Sequence, residues 1–340
     1  MHTSFTGKRD KRGDWKPEQP IELAPVMVWP PRPMALLRWL FGYPGYFLPW
    51  GLAYMAIPVI TWFFLTPAMD TMKTFQPGWL AYLFLRNLVM IFLVAGAWHV
   101  RLHIQKAQGT DFKYTNKWLA RDNPIFLFRN QLYDNIFWTV VSAVPVWTAY
   151  EAATLWAYAN HIIPYVDWRE HPIYCVVLMC LIPIIREVHF YLIHRLIHWG
   201  PIYRWVHYLH HNNVDVGPFA GLSMHPVEHV FYWSGVLIHW VIPSHPIHAL
   251  FHIQHASFSP AQGHAGFARV VMREGVEVKT HDYFHYLHHK YFECNYGGDG
   301  PVVLDKWFGT FHNGTDAATD AMNERFLARA KQKAAGESGS

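Results

Sequence analysis

Three histidine clusters occupy one stretch of this chain: His194-Arg195-Leu196-Ile197-His198, His207-Tyr208-Leu209-His210-His211 and His285-Tyr286-Leu287-His288-His289. On a helix, positions three and four apart share a face, so each cluster aims its imidazoles one way. Eight rings buried without partners would be costly through their unsatisfied nitrogens, whereas a metal satisfies one nitrogen of each. One ion of the zinc type takes about four protein ligands, so eight imply two ions or a surplus, and two is the economical reading. Ligand type alone leaves iron, zinc, copper and nickel open. The clustering is not compositional, since 19 of the 24 histidines fall between His189 and His312.

The isolated histidines, His99, His103, His161, His171, His239, His245 and His248, read as core or interface residues. His189 lies five positions before His194 and points about 140° away on an ideal helix, so it is left out. Glu187, two turns before His194, is the expected carboxylate partner that holds a ligand imidazole in one tautomer. Asp282, Glu228 and Glu277 are weaker candidates of that kind. No cysteine pair has metal-ligand spacing, so Cys175, Cys180 and Cys294 read as structural thiols.

The elements that must position these rings are membrane helices. Of 340 residues 52% are hydrophobic and only 15% charged, against about 25% in soluble domains. The net charge of +4 is too small and scattered for a nucleic-acid footprint, so no nucleic-acid partner is expected. Apolar runs at Tyr46 to Thr66, Trp79 to Val100, Ile136 to Ala159 and Ile173 to Leu192 predict four spans, each about 20 residues. Arg86 and Glu151 fall inside two of them and need partners. The segment 230–258, apolar but broken by Pro243 and Pro246, predicts a re-entrant hairpin, its halves too short to span. Only that return puts the third cluster beside the first two.

The tail to residue 44 holds seven Lys and Arg and the loop 101–134 holds six, against one each in 67–77 and 160–172. By the positive-inside rule the amino terminus and the histidines face the cytoplasm, of a bacterial inner membrane or endoplasmic reticulum. The expected fold class is all-α: an integral-membrane helical bundle of about four transmembrane helices plus the hairpin, capped by a cytosolic histidine-rich helical domain. Residues 1–34 read as a flexible cytosolic tail rather than a cleavable signal, 35–185 as scaffold, 186–312 as the catalytic region and 313–340 as a surface helix and tail.

The run Glu187 to His198, E-V-H-F-Y-L-I-H-R-L-I-H, resembles the first signature of the fatty acid hydroxylase / sterol desaturase family of membrane di-iron oxygenases. His207-x-x-His210-His211 and His285-x-x-His288-His289 are similar to its second and third boxes. Asn295-Tyr296-Gly297-Gly298 and Leu304-Asp305-x-Trp307-Phe308-Gly309-Thr310 resemble its carboxyl-terminal motifs, with the tryptophan displaced. The resemblance covers about residues 175–312 and implies His264 as a ninth ligand, with His225 and His255 as further candidates. It also implies two Fe ions, replaceable by Zn in purified protein, and O2 as co-substrate. The implied substrate is a membrane lipid, hydroxylated at an unactivated C–H bond, with sterol or lipid desaturation at the same centre as the alternative. With no dinucleotide fingerprint in the chain, electrons must come from a separate donor, a ferredoxin or a cytochrome with its reductase.

Two other classes compete. A bis-histidine haem electron carrier would suit paired histidines in apolar helices, but adjacent His210-His211 and His288-His289 serve facing haem ligation poorly. A metal transporter would place its ligands at mid-membrane, whereas these lie beyond the span ends.

Overall fold

The computed structural model describes residues 7–18, 21, 23–273, 276–280, 282–298 and 303–337. In chain order the elements are β1 (Gly7–Arg9), β2 (Trp15–Pro17), α1 (Pro33–Phe41), α2 (Phe47–Leu65) and α3 (Pro77–Ile104). Gln131–Trp138, Thr139–Ala143 and Val144–Ala159 run on as one helix, α4, followed by α5 (Pro172–Ile197) and α6 (Tyr208–His211). Then come α7 (Pro226–Trp233), α8 (Pro246–Gly263), β3 (Arg269–Arg273), β4 (Val276–Lys279), α9 (Tyr283–Tyr291), α10 (Leu304–Trp307) and α11 (Asp316–Glu337). The chain is mostly helical rather than all-α, because β1–β2 and β3–β4 form two small antiparallel ribbons.

Among the described residues three helices are long and apolar enough to cross a bilayer: α2, α3 and α5. The expected fourth, Ile136 to Ala159, is helical but not among them. Its tryptophans, tyrosines, threonines and Glu151 lower its apolarity, and it sits inside the bundle, with Trp147, Leu155 and Tyr158 buried. The two charges expected to need partners found each other. Arg86 on α3 pairs with Glu151 on α4, Asn87 Nδ2 donates to Glu151 Oε2 at 3.0 Å, and Arg86 Nη1 donates to the Leu65 carbonyl at 3.0 Å.

The hairpin is present and deeper than its sequence suggests. Its descending limb is α7 continued by a 3-10 segment, Ser234–Trp240, and its return is α8. A 3-10 helix rises about 2.0 Å per residue against about 1.5 Å for an α-helix, so both limbs cover about 26 Å. The turn consequently reaches the end of the bundle opposite the histidines, where Ser244 bridges Tyr165 and its hydroxyl bonds Tyr158 Oη at 2.6 Å. Protein rather than lipid surrounds α8, with residues such as Phe251, Ile253 and Phe258 buried, and that cover makes the irregular backbone tolerable.

The amino-terminal segment is no free tail where it is described. Trp15 is buried, its ring edge-on to Tyr283, and its backbone N–H donates to the Tyr114 carbonyl at 2.7 Å. Lys290 Nζ pairs with Asp14 at 2.5 Å, so β1–β2 is docked against α9, the helix that carries the third histidine cluster. Residues 1–6, 19, 20 and 22 of that expected tail lie outside the described residues.

Candidate metal centre

Four elements deliver the rings. His194 lies in the last turn of α5 and His198 caps it. His207 ends a π-turn, Tyr203–His207, that leads into α6 with His210 and His211. His264 caps α8, and α9 carries His285, His288 and His289. Sorted by position, the nine fall into two groups, His194, His198, His207, His211 and His288 in one, and His210, His264, His285 and His289 in the other; within each group the ligand nitrogens all lie within 4.8 Å of one another.

The sorting follows from helix geometry. Positions four apart are offset by only about 40° and project together, whereas the position three along falls on the other side of the stripe, about 60° back. His207 and His211 therefore join one group and His210 the other, while α9 sends His285 and His289 to the second group and His288 to the first. Each H-x-x-H-H box contributes to both groups.

The hydrogen bonds fix which nitrogen faces inward. His194 Nδ1 donates to the Tyr296 carbonyl at 2.7 Å and His288 Nδ1 to the Cys294 carbonyl at 2.6 Å. In the second group His210 Nδ1 donates to Ser223 O at 3.3 Å and His264 Nδ1 to Pro260 O at 2.9 Å. A carbonyl can only accept, so each of these rings carries its proton on Nδ1 and turns a bare Nε2 inward. His207 Nδ1 is likewise engaged, by Glu228 Oε1 at 2.8 Å.

Those bare nitrogens face each other. His194 Nε2 is 3.0 Å from His207 Nε2, and His264 Nε2 is 3.4 Å from His210 Nε2. His211 Nε2 lies 3.0 Å from His207 and 3.2 Å from His198, and His264 lies 3.1 Å from both His285 and His289. Protonating the rings is no remedy, because burial pushes His210 down to about 4 and His288 to about 3. Burial and the neighbouring imidazoles push His207, His211, His264, His285 and His289 well below the ordinary histidine value. Where both nitrogens are bare, as between His194 and His207 and between His210 and His264, a cation between them would satisfy the opposed lone pairs. Nitrogens about 2.1 Å from one ion lie about 3.0 Å apart at right angles and about 3.4 Å apart at tetrahedral angles, the range observed.

Glu187 does not take the role expected of it. Its Oε1 accepts from Arg186 at 2.5 Å and its Oε2 from the Gly298 N–H at 3.0 Å, and neither oxygen meets an imidazole. Glu187 comes too early on α5 to reach the rings, and Glu228, arriving from α7, takes the position on His207. His225 and His255 stay outside both groups. His225 caps α7 by accepting from the Val227 N–H at 3.2 Å, and His255 packs between Tyr54 and Phe251. His189 bonds Ser234. The four carbonyl partners were illegible in sequence, because a backbone acceptor carries no side-chain signal; Glu228 was visible only as one acid among several.

A cavity of about 310 Å³ adjoins both groups, touching His194, His207, His210, His264 and His285. It runs along Phe190 and Tyr232 to Arg186, and out past Tyr46, Trp50 and Tyr54 of the first span. Its volume is at the lower end of the range for small-molecule sites. Tyr283 and Phe284 line it as well, whereas Trp199 and Trp205 stand exposed at 64% and 86%.

Residues 179–310, which contain all nine of these histidines, match the model of the fatty acid hydroxylase family. This region belongs to the fatty acid hydroxylase / sterol desaturase family. The chain is 26% identical to the Delta(7)-sterol 5(6)-desaturase of Candida glabrata, over 46% of this chain and 42% of the relative. It is 28% identical to that of Saccharomyces cerevisiae, over 38% and 34%, and 30% identical to that of Gibberella zeae, over 34% and 35%. The chain thus spans less than half the length of these relatives. No solved structure matches.

Proposed function

We propose that the chain is a membrane-bound oxidoreductase that uses two iron ions and O2 to oxidise an unactivated C–H bond of a lipid. The observation that carries this reading is the pair of histidine groups whose bare Nε2 atoms converge beside a cavity lined by the first span. His194, His198, His207, His211 and His288 would hold one ion and His210, His264, His285 and His289 the other. Bound iron supplies the activation of dioxygen that no side chain can provide. The chain's own residues fix the ligand tautomers, exclude bulk water by burying the rings, and admit the lipid past Tyr46 and Trp50.

Hydroxylation and desaturation begin with the same hydrogen removal. The motif resemblance favours hydroxylation, while the names of the relatives favour desaturation of a sterol-like polycycle. Electrons come from a separate ferredoxin or cytochrome. The amino terminus and the histidines lie on the cytoplasmic side, by the lysine and arginine count.

The deciding experiment is mass spectrometry of total lipids from cells with and without the protein. A lipid heavier by one oxygen, or lighter by two hydrogens, supports the proposal and chooses between its outcomes. An unchanged lipidome despite two bound irons per chain would refute it, and a Soret band in the purified protein would replace it with the haem carrier.

A further inference from the structure

The carboxyl-terminal motifs have so far no part in the chemistry. Cys294 O and Tyr296 O, two residues apart, receive the Nδ1 protons of His288 and His194, so one short stretch steadies two rings of the five-ring group. Two carboxylates grip the backbone of that stretch. Asp305 accepts the Tyr296 N–H at 3.0 Å, the Gly297 N–H at 2.7 Å and the Thr310 hydroxyl at 2.5 Å. Glu187 accepts the Gly298 N–H at 3.0 Å while Arg186 holds its other oxygen.

The two glycines are what let the carboxylates come so close. A Cβ on Gly297 would lie 3.0 Å from Asp305 Oδ2, and one on Gly298 would lie 2.9 Å from Glu187 Oε2. Asp305 is 7% exposed, and its backbone bonds replace the water it gave up on burial. The four-ring group has no share in this frame, since His210 and His264 donate to Ser223 and Pro260, on other elements.

Resting on the metal reading above, we propose that Asp305 and Glu187 are positioning residues for one of the two metals. They hold the turn whose carbonyls fix His194 and His288, and take no part in fixing His210 and His264 of the second group. Without the clamp, both rings can rotate or move their proton to Nε2, which removes the donor nitrogen. Loss of such a partner typically weakens metal binding about 10- to 100-fold.

The test uses the full-length protein in detergent, stripped of metal, titrated anaerobically with Fe2+ and challenged with graded chelator, with metal per chain counted by mass spectrometry. Asp305→Ala should lose one of two ions at least about tenfold more readily than wild type and keep the other. Adding His264→Ala should remove the ion that remains. Gly298→Ala, which displaces Glu187 without touching Asp305, should give the same single-ion form if Asp305→Ala does not fold. Two ions retained with wild-type resistance in both variants, or both ions lost together, would overturn the assignment. Wild-type protein that binds no Fe2+ would overturn the metal centre itself, and the assignment with it.

Discussion

His288 and His289 are neighbours in one box, yet the structure sends them to different groups, one of five rings and one of four. Replacing each with alanine should therefore have unequal consequences. Four-ligand protein sites for zinc bind with about 10–16 kcal/mol, or about 3 kcal/mol per ligand. His289→Ala leaves three rings and should weaken its ion by roughly 100-fold. His288→Ala leaves four, still a complete tetrahedral set, and should weaken its own ion by about tenfold or less. The assay is anaerobic Fe2+ loading followed by a chelator series, with metal per chain read at each step. The His289→Ala protein should fall to one ion at chelator strengths where His288→Ala still holds two. Equal losses, or loss of the same ion by both as shown by identical spectra of the Co2+-loaded forms, would refute the sorting.

Three further outcomes follow from particular contacts. Glu228→Ala frees the His207 Nδ1 proton and should loosen the five-ring ion by about tenfold at most, since four rings remain, whereas Glu228→Gln, which keeps an accepting oxygen, should retain most of the affinity. Glu151→Gln strands Arg86 inside the bundle and should cost about 3–5 kcal/mol in unfolding measured in detergent, while replacing both by apolar residues of similar volume should be nearly neutral. Asp282, buried and bonded by the hydroxyls of Thr280 and Tyr114, has its carboxyl pushed up to about 7 by burial. The folded state therefore holds that proton more tightly, and stability falls as pH rises from about 4 through about 7. Asp282→Asn should flatten that fall in a Tm-versus-pH series, and an unchanged slope would count against it.

Much of the architecture can be read from residue pattern alone, and the departures have identifiable causes. Hydropathy finds α2, α3 and α5 because lipid-facing helices must be apolar along their whole length. It overstates α4, whose tryptophans and threonines face other protein. It understates the reach of the hairpin, because nothing in Ser234–Trp240 announces a 3-10 helix with its longer rise. Trp15, one aromatic residue in a polar segment, gives no sign that it will bury beside Tyr283.

The sequence by itself determined that the imidazoles of three boxes, with His264 added by resemblance, meet at one end of a membrane bundle, since spacing along a helix sets direction locally. Helix spacing keeps rings four apart together, and only the tertiary structure decided which of those pairs share a group. The split between five and four depends on how α5, α6 and α9 are rotated against one another, and rotation about a helix axis is set by packing with distant elements. The same holds for the acids: Glu187 was the nearer in sequence, and Glu228 reached the ring because α7 brings it there.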